Sequence, residues 1–210
     1  MTQILSPVGR LVQGNVFEGA TTNMEGQLLT FKDGRPRQEF FIAVAFPKDN
    51  SEVDEMLSKI NEEGKLGFPK LFPKGKDCIN PNFSWKVQDG DSEIPNSRGN
   101  RNCDRAGFPG NHVLTFKSSY CPKVYKKGGE FELSHPDDIK RGYYVRVLFN
   151  VKANGSSQRP GMFLNQIAVE LYGLGDEIRS EPAYGSAFTQ EAANAPKGVK
   201  DIPERQNHFA

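Results

Sequence analysis

The 210-residue chain is poor in the residues from which catalytic and metal centres are usually built: it holds three cysteines and three histidines. Cys78, Cys103 and Cys121 are odd in number and form no CxxC pair, which argues against a disulfide framework and against secretion. Cys103, His112 and Cys121 lie near one another, and Cys78 would complete a four-ligand set. Structural zinc ligands, however, usually come in pairs about two to four residues apart, and no such pair exists here. Ordinary free thiols and no bound metal are expected. The phosphate-cradling GxxxxGK[ST], GxGxxG, GxSxG and HExxH patterns are all missing, so neither an enzyme nor a cofactor is expected. No apolar run approaches the ~20 residues of a membrane span. Met1 to Val12 lacks the basic and apolar blocks of a secretory signal. The expectation is a cytosolic protein that does not engage a membrane. A dominant charge is missing too, the formal net charge being +1. From Asp176 onward six acids face four bases, leaving a mildly basic body and a mildly acidic end. That split suits a nucleic-acid binder only weakly.

What the chain does have is glycine (21) and proline (14), punctuating short extended runs. This favours an all-β barrel or sandwich over a helical bundle. Arg10 to Phe17 reads as a first strand. Gln38 to Phe46 reads as a second, with Phe40, Ile42, Val44 and Phe46 on one face and Phe41, Ala43 and Ala45 on the other, so both faces should be partly covered. Asn50 or Ser51 caps one amphipathic helix running to about Glu63, with Val53, Met56, Leu57 and Ile60 as its apolar stripe and Gly64 as its stop. Phe83 to Gln88 and His112 to Ser119 alternate as strands, and Ser134 to Arg141 suits one helical turn. Tyr143 to Lys152 alternates most cleanly, with Val145, Val147, Phe149 and Val151 on one side. Asn154-Gly155 makes a turn before a last strand, Met162 to Tyr172. These elements predict a mainly β fold: a five-stranded OB-type Greek-key barrel with insertions and one helix, over residues 1–178. Residues 179–210, rich in Ala, Pro, Ser, Asn and Gln, read as a flexible, disordered tail.

If the aliphatic face of each strand points inward, Lys86, Lys117, Tyr144, Arg146 and Lys152 emerge on the outer surface. Spaced cations for phosphates and flat rings for bases are what a groove tracking an unpaired strand requires. Any one of these residues taken alone is better explained by solubility; the joint pattern carries the expectation. Arg98, Arg101 and Arg105 lie in a polar, Gly- and Asn-rich loop able to close over a strand. Lys123 and Tyr125, with Lys126 and Lys127, form a further basic and aromatic patch before Gly128-Gly129. Two other readings stay open. Asp89, Asp91 and Glu93 suit a divalent metal in a nucleic-acid-processing enzyme, although an acidic DG turn explains them as well. A virion or replisome interaction module with no nucleic-acid role is the other.

Four segments taken together resemble a known family: KDGRPRQEFFIAVAFPK (Lys32–Lys48), NPNFSWKVQDGD (Asn80–Asp91), IKRGYYVRVLFNVKANGSSQRPGMFLN (Ile139–Asn165) and VELYGLGDEI (Val169–Ile178). They resemble the single-stranded DNA-binding proteins of tailed phages, the combination NGSxxRPGxxLN being the most specific part. The resemblance implies an OB fold and sequence-independent binding of single-stranded DNA. It also implies a role in phage replication or recombination, in the cytoplasm of an infected bacterium. Such proteins often recruit replication or recombination partners through a strongly acidic tail closed by an aromatic. Here the end reads DIPERQNHFA, with Phe209 accompanied only by Asp201 and Glu204, a departure from that pattern. A homodimer is compatible with the sequence.

Overall fold

The computed structural model describes residues 2–23, 25–73, 77–129 and 131–179. The expected tail, apart from Arg179, therefore lies outside the described residues. Nine strands and one α-helix follow in the order β1 (Thr2–Leu5), β2 (Gly9–Ala20), β3 (Glu39–Pro47), α1 (Ser51–Gly67), β4 (Val87–Asp89), β5 (Asn111–Ser118), β6 (Lys123–Lys126), β7 (Glu132–Leu133), β8 (Tyr144–Ala153) and β9 (Met162–Gly173). The expected helical turn is present as a short 3-10 turn, Pro136–Asp138, capped by the His135 side chain.

One hydrogen-bonded path joins the strands in the order β4-β5-β3-β2-β8-β9-β6-β7, with β1 also on β8. β2 with β3, β3 with β5, and β8 with β9 run antiparallel; β6 lies parallel to β9. Among the described residues no backbone ladder joins β5 to β9, so the expected five-stranded closed barrel appears here as an open nine-stranded sheet. Two other devices span the interval. Gln166 of β9 donates from Nε2 to the Phe40 carbonyl of β3 at 3.2 Å. The segment before β4 bonds both sides: Lys86 O accepts from Thr115 N–H (2.9 Å), while Ser84 exchanges bonds with Pro160 O and Met162 N.

The core follows from the alternation. Ile42, Val44 and Phe46 of β3, Leu114 and Phe116 of β5, Val145, Val147, Phe149 and Val151 of β8, and Leu164 of β9 form one buried cluster. The Phe116 and Phe149 rings meet edge to face at 4.9 Å, a favoured aromatic geometry. Helix α1 adds Val53, Met56 and Ile60 to the same cluster. Its start is the expected one, with Asn50 accepting from Glu52 N–H. Its end is not. Gly64 lies inside the helix, which runs on to Gly67, because the Trp85 ring packs where a Cβ would stand, 2.9 Å away. Glycine there serves close packing rather than termination.

The second correction concerns Phe83 to Gln88, of which only Val87 and Gln88 belong to a strand, β4. Lys86 has φ +63°, the one left-handed non-glycine among the described residues, and this breaks the pleat. Phe83 and Trp85 therefore do not line one strand face; they join Phe68 and Phe72 in an aromatic cluster beside α1. β2 is bent for a similar reason. Gly14 has φ +88°, and a Cβ on it would stand 2.1 Å from Phe41 O, so the register against β3 shifts on both sides of it.

A second, smaller apolar cluster covers part of the outer face, as the two-sided pattern of β3 predicted. Val12, Ala43, Ala45 and Val113 are covered by Phe108, with Phe41 and Ile178 at its margin. The outer surface left open is therefore the other half of β2, β3 and β5, together with β8 and β9.

Candidate nucleic-acid interface

The open outer surface contains two adjoining depressions that share Glu39. One, of about 250 Å³, is lined by Arg37, Glu39, Lys86, Lys117, Phe163 and Asn165, among others. It lies over the interval between β5 and β9, where no ladder fills the space. The second, of about 570 Å³, has Phe41 in its wall, with Asn15 on one side and Arg141 on the other. Strand register explains why these groups converge. Lys117 stands opposite Phe41 across the β3–β5 ladder. Lys152 stands opposite Phe163 across the β8–β9 ladder.

The charges in this cleft are organised around one acid. Lys117 Nζ bonds Glu39 Oε1 at 2.6 Å, and the Arg37 guanidinium lies 3.8 Å from Glu39 Oε2. The same ammonium stands 5.7 Å from the Phe41 ring centroid. Partial burial, and then the neighbouring Lys117 charge, lower the Lys86 pKa below the ordinary lysine value; Glu39 opposes the shift. Arg37, Lys86 and Lys117 share the single Glu39 carboxylate in the lining of this depression, which leaves its described wall with more positive than negative charge. Arg37 Nε is buried and has no hydrogen-bond partner within the protein. The exposed Phe163 ring (46%) supplies the flat apolar face beside these cations.

The structure divides the residues singled out in the sequence. Lys86, Lys117 and Lys152 belong to the cleft or its rim. Arg105 borders the same outer face: its guanidinium stacks 3.8 Å from the Phe108 centroid and donates to Gln13 Oε1 at 2.7 Å. Tyr144 and Arg146 are not brought together with them. Both do face outward on β8, but six to eight residues from Lys152, which is roughly 20–27 Å at the rise of a strand. Arg146 is engaged by Glu170 at 3.4 Å and by the Ser6 carbonyl at 3.5 Å. Lys123 lies on β6 opposite Ala168 and pairs with Glu132 at 3.7 Å, and Tyr125 stands opposite Glu170. These four form a separate patch at the far end of β8 and β9. Arg101 is held by Asp104 through two bonds of 2.7 and 3.1 Å, and Arg98 lies in the exposed turn organised by Asn96.

Arg37, Phe41 and Phe163 were not singled out from the sequence, although each had a signal. Phe163 alternates out of phase with Met162 and Leu164, and Phe41 sits on the β3 face opposite the aliphatic one. Both were hidden because an apolar residue in a strand is read as core before it is read as a stacking platform.

The acidic turn behaves as a structural clamp. Lys48 Nζ bonds Asp89 Oδ1 at 2.5 Å and Asp91 Oδ2 at 2.7 Å, and Asp91 Oδ1 accepts from Gly110 N–H at 2.7 Å. The Lys48 bonds hold both carboxyls below the ordinary aspartate pKa. The two carboxylates that a metal would need already serve an ammonium. Among the described residues no three His, Cys, Asp or Glu side chains cluster as metal ligands. No helix of the described residues is long and apolar enough to cross a membrane.

The NGSxxRPGxxLN segment makes the β8–β9 turn. Asn154 Oδ1 accepts from Ser156 N–H, its Nδ2 donates to Arg159 O at 2.8 Å, and Ser156 Oγ accepts from Arg159 N–H. Gly161 is pressed against Ser84, whose carbonyl oxygen would stand 2.6 Å from a Cβ. The motif thereby fixes where β9 starts and so where Phe163 projects.

No protein-family model matches the chain, and no curated protein matches it. Solved structures do. The single-stranded DNA-binding protein from bacteriophage Enc34 in complex with ssDNA aligns with TM-score 0.60 at 16% identity, over 84% of this chain and 89% of that one. Another structure of the single-stranded DNA-binding protein from bacteriophage Enc34 aligns with TM-score 0.59 at 16% identity, over 89% of each chain. Gp2.5, a single-stranded DNA-binding protein encoded by bacteriophage T7, aligns with TM-score 0.54 at 13% identity, over 87% of this chain and 97% of that one. The chain thus has the fold of these phage proteins along most of its length.

Proposed function

We propose that this protein binds single-stranded DNA with little regard to sequence and serves phage DNA replication or recombination in the cytoplasm of an infected host. In this reading β2, β3, β5, β9 and β8 are the five strands of an OB-type barrel, and the interval between β5 and β9 is its binding side. The observation that carries the proposal is the meeting of Arg37, Lys86 and Lys117 with the Phe163 ring in one cleft, on a fold that phage single-strand binders share. The cations take phosphates as point charges, and Phe163 and Phe41 offer faces to bases, an arrangement that tolerates any base because each has a π-face. Lys152 and Arg105 extend the charged track at either side. No covalent chemistry is asked of the protein, and the Lys48 clamp supports a non-enzymatic role.

The test is fluorescence anisotropy with a labelled oligo-dT at rising salt. Binding should weaken steeply, because each neutralised phosphate of a single strand contributes about −0.7 to the slope of log K against log salt. The double variant Lys86→Ala/Lys117→Ala should bind weakly and with a shallower slope. Wild-type affinity that ignores salt would reject the reading.

A further inference from the structure

A groove of about 690 Å³ lies between helix α1 and the segment that leads into β4. Leu57 of the helix and Phe83, Trp85 and Val87 of that segment give it an apolar floor, and the exposed Asp54 and Asp77 stand at its rim. Trp85 meets Phe72 and Phe83 and packs against Gly64, yet it is only half-buried, so part of the indole is left to the groove. None of the lining residues belongs to the cleft.

The two rim acids are uncommitted. Glu39, Asp89, Asp91 and Asp104 are each held by a lysine or an arginine, whereas Asp54 and Asp77 have no such partner among the described residues. Among the described residues lining the groove there is no lysine, arginine or histidine. Helix α1, which forms one wall, carries five acids (Glu52, Asp54, Glu55, Glu62 and Glu63) against Lys59 and Lys65. The described wall is therefore negative, opposite in sign to that of the cleft. It repels a phosphate backbone, so Trp85 is not a further stacking platform for a bound strand. A polypeptide segment fits instead. An apolar side chain would rest on Trp85 and Leu57, since a tryptophan in a sheltered pocket is the usual anchor of an interface. A lysine or arginine beside it would lay its methylene stem along the apolar floor and bring its charge to the two carboxylates.

We propose that the groove between α1 and Asp77–Val87 docks a segment of a different protein, one that pairs an apolar or aromatic anchor with flanking lysine or arginine. The site goes beyond the strand-binding reading and does not rest on it. The apolar floor supplies the discrimination that charge alone lacks: a basic segment without an anchor gains little there, and an anchor flanked by acids is turned away. Docking at this place leaves the cleft open.

The experiment selects tryptophan-free random dodecapeptides, displayed as a library, on the full chain. Those enriched should share an apolar or aromatic anchor flanked by lysine or arginine. Trp85 is the one tryptophan of the chain, so its emission reports on the groove. The selected peptides, made synthetically, should shift that emission on titration, and replacing their anchor by serine should abolish the shift. Asp54→Asn/Asp77→Asn, at exposed positions, should weaken them roughly 5-fold, the effect of two exposed ion pairs, with circular dichroism confirming the fold. A selection that enriches nothing, or enriches acidic peptides, overturns the proposal. So do peptides that bind the double variant as tightly as the wild type. Trp85 emission that shifts with protein concentration alone, and ceases to do so in the double variant, puts a second copy in the groove and overturns the assignment to a different protein.

Discussion

Glu39 is the one acid among the described residues lining the depression of Arg37, Lys86 and Lys117, and replacing it should strengthen binding of a single strand. Its carboxylate bonds Lys117 at 2.6 Å and lies 3.8 Å from Arg37, so it neutralises part of the cleft's positive field, which the proposal assigns to phosphates. A phosphate seated about 6 Å from that carboxylate in a water-like dielectric is repelled by roughly 0.7 kcal/mol. Glu39→Gln removes this term and releases Lys117, so affinity for oligo-dT at low salt should rise about 3-fold, since ~1.4 kcal/mol corresponds to tenfold. The gain should shrink as salt approaches 1 M, where the screening length is about 3 Å. Lys117→Met should move affinity the other way and flatten the salt slope by about 0.7. The double variant then separates two roles. If Glu39 only weakens the field, its removal helps in the Lys117→Met background as well. Anisotropy titrations of the four proteins at two salt concentrations suffice. Weaker binding by a stably folded Glu39→Gln would refute the reasoning, because it would mean that the ion pair positions Lys117 more than it screens it.

Other outcomes follow from the same geometry. Phe163→Ala should weaken oligo-dT binding by ~1–3 kcal/mol, the usual contribution of one base stacked on an aromatic, with no change in the thermal unfolding midpoint. Phe149→Ala, which removes half of the buried pair with Phe116, should cost about 3–5 kcal/mol in urea unfolding. Gly14→Ala should cost more than about 1 kcal/mol, because φ +88° and the nearby Phe41 oxygen both penalise a Cβ. Asp89 and Asp91 have lowered folded-state pKa values, so their stabilisation is present above the unfolded carboxylate value and lost as pH falls through the folded one. The wild type should therefore lose thermal stability below about pH 4, and Lys48→Met should flatten that loss.

Much of the fold was legible because its long strands obey a two-residue period. In β3, β5, β8 and β9 the aliphatic residues that alternate in sequence are those that meet in the core. The helix was legible from Asn50 and the Val53, Met56, Ile60 stripe. What escaped was set by tertiary contact. Gly64 resembles a helix stop until Trp85 packs on it, and Phe83 to Gln88 resembles a strand until Lys86 adopts a left-handed backbone. β1 is only four residues long, too short for a period to emerge, and gains its place by pairing with β8. The sheet path was also beyond reach, since local alternation says nothing of which strands pair.

The candidate site was legible in kind and only partly in place. Lys117 and Lys152 were legible because cations opposite an aliphatic face must emerge, whereas Lys86 reaches the cleft although its own left-handed backbone breaks the alternation that singled it out. Tyr144 and Arg146 satisfied the same rule, yet alternation does not report distance along the strand, and they fall at the far end of β8. Arg101 and Arg146 look free in a sequence and are paired in the fold, with Asp104 and Glu170. Conversely, Phe41 and Phe163 count as hydrophobic in any composition and become candidate surfaces for bases only once their neighbours are known.

The central claim is that an unpaired strand lies over β3, β5 and β9 rather than over the far patch of β6 and β8. Photocross-linking with a 5-bromodeoxyuridine oligonucleotide, followed by peptide mass spectrometry, tests it directly. Adducts should concentrate in the stretches 37–41, 115–120 and 162–166, with Phe163 prominent. Adducts confined to 123–127 and 143–146 would contradict the account.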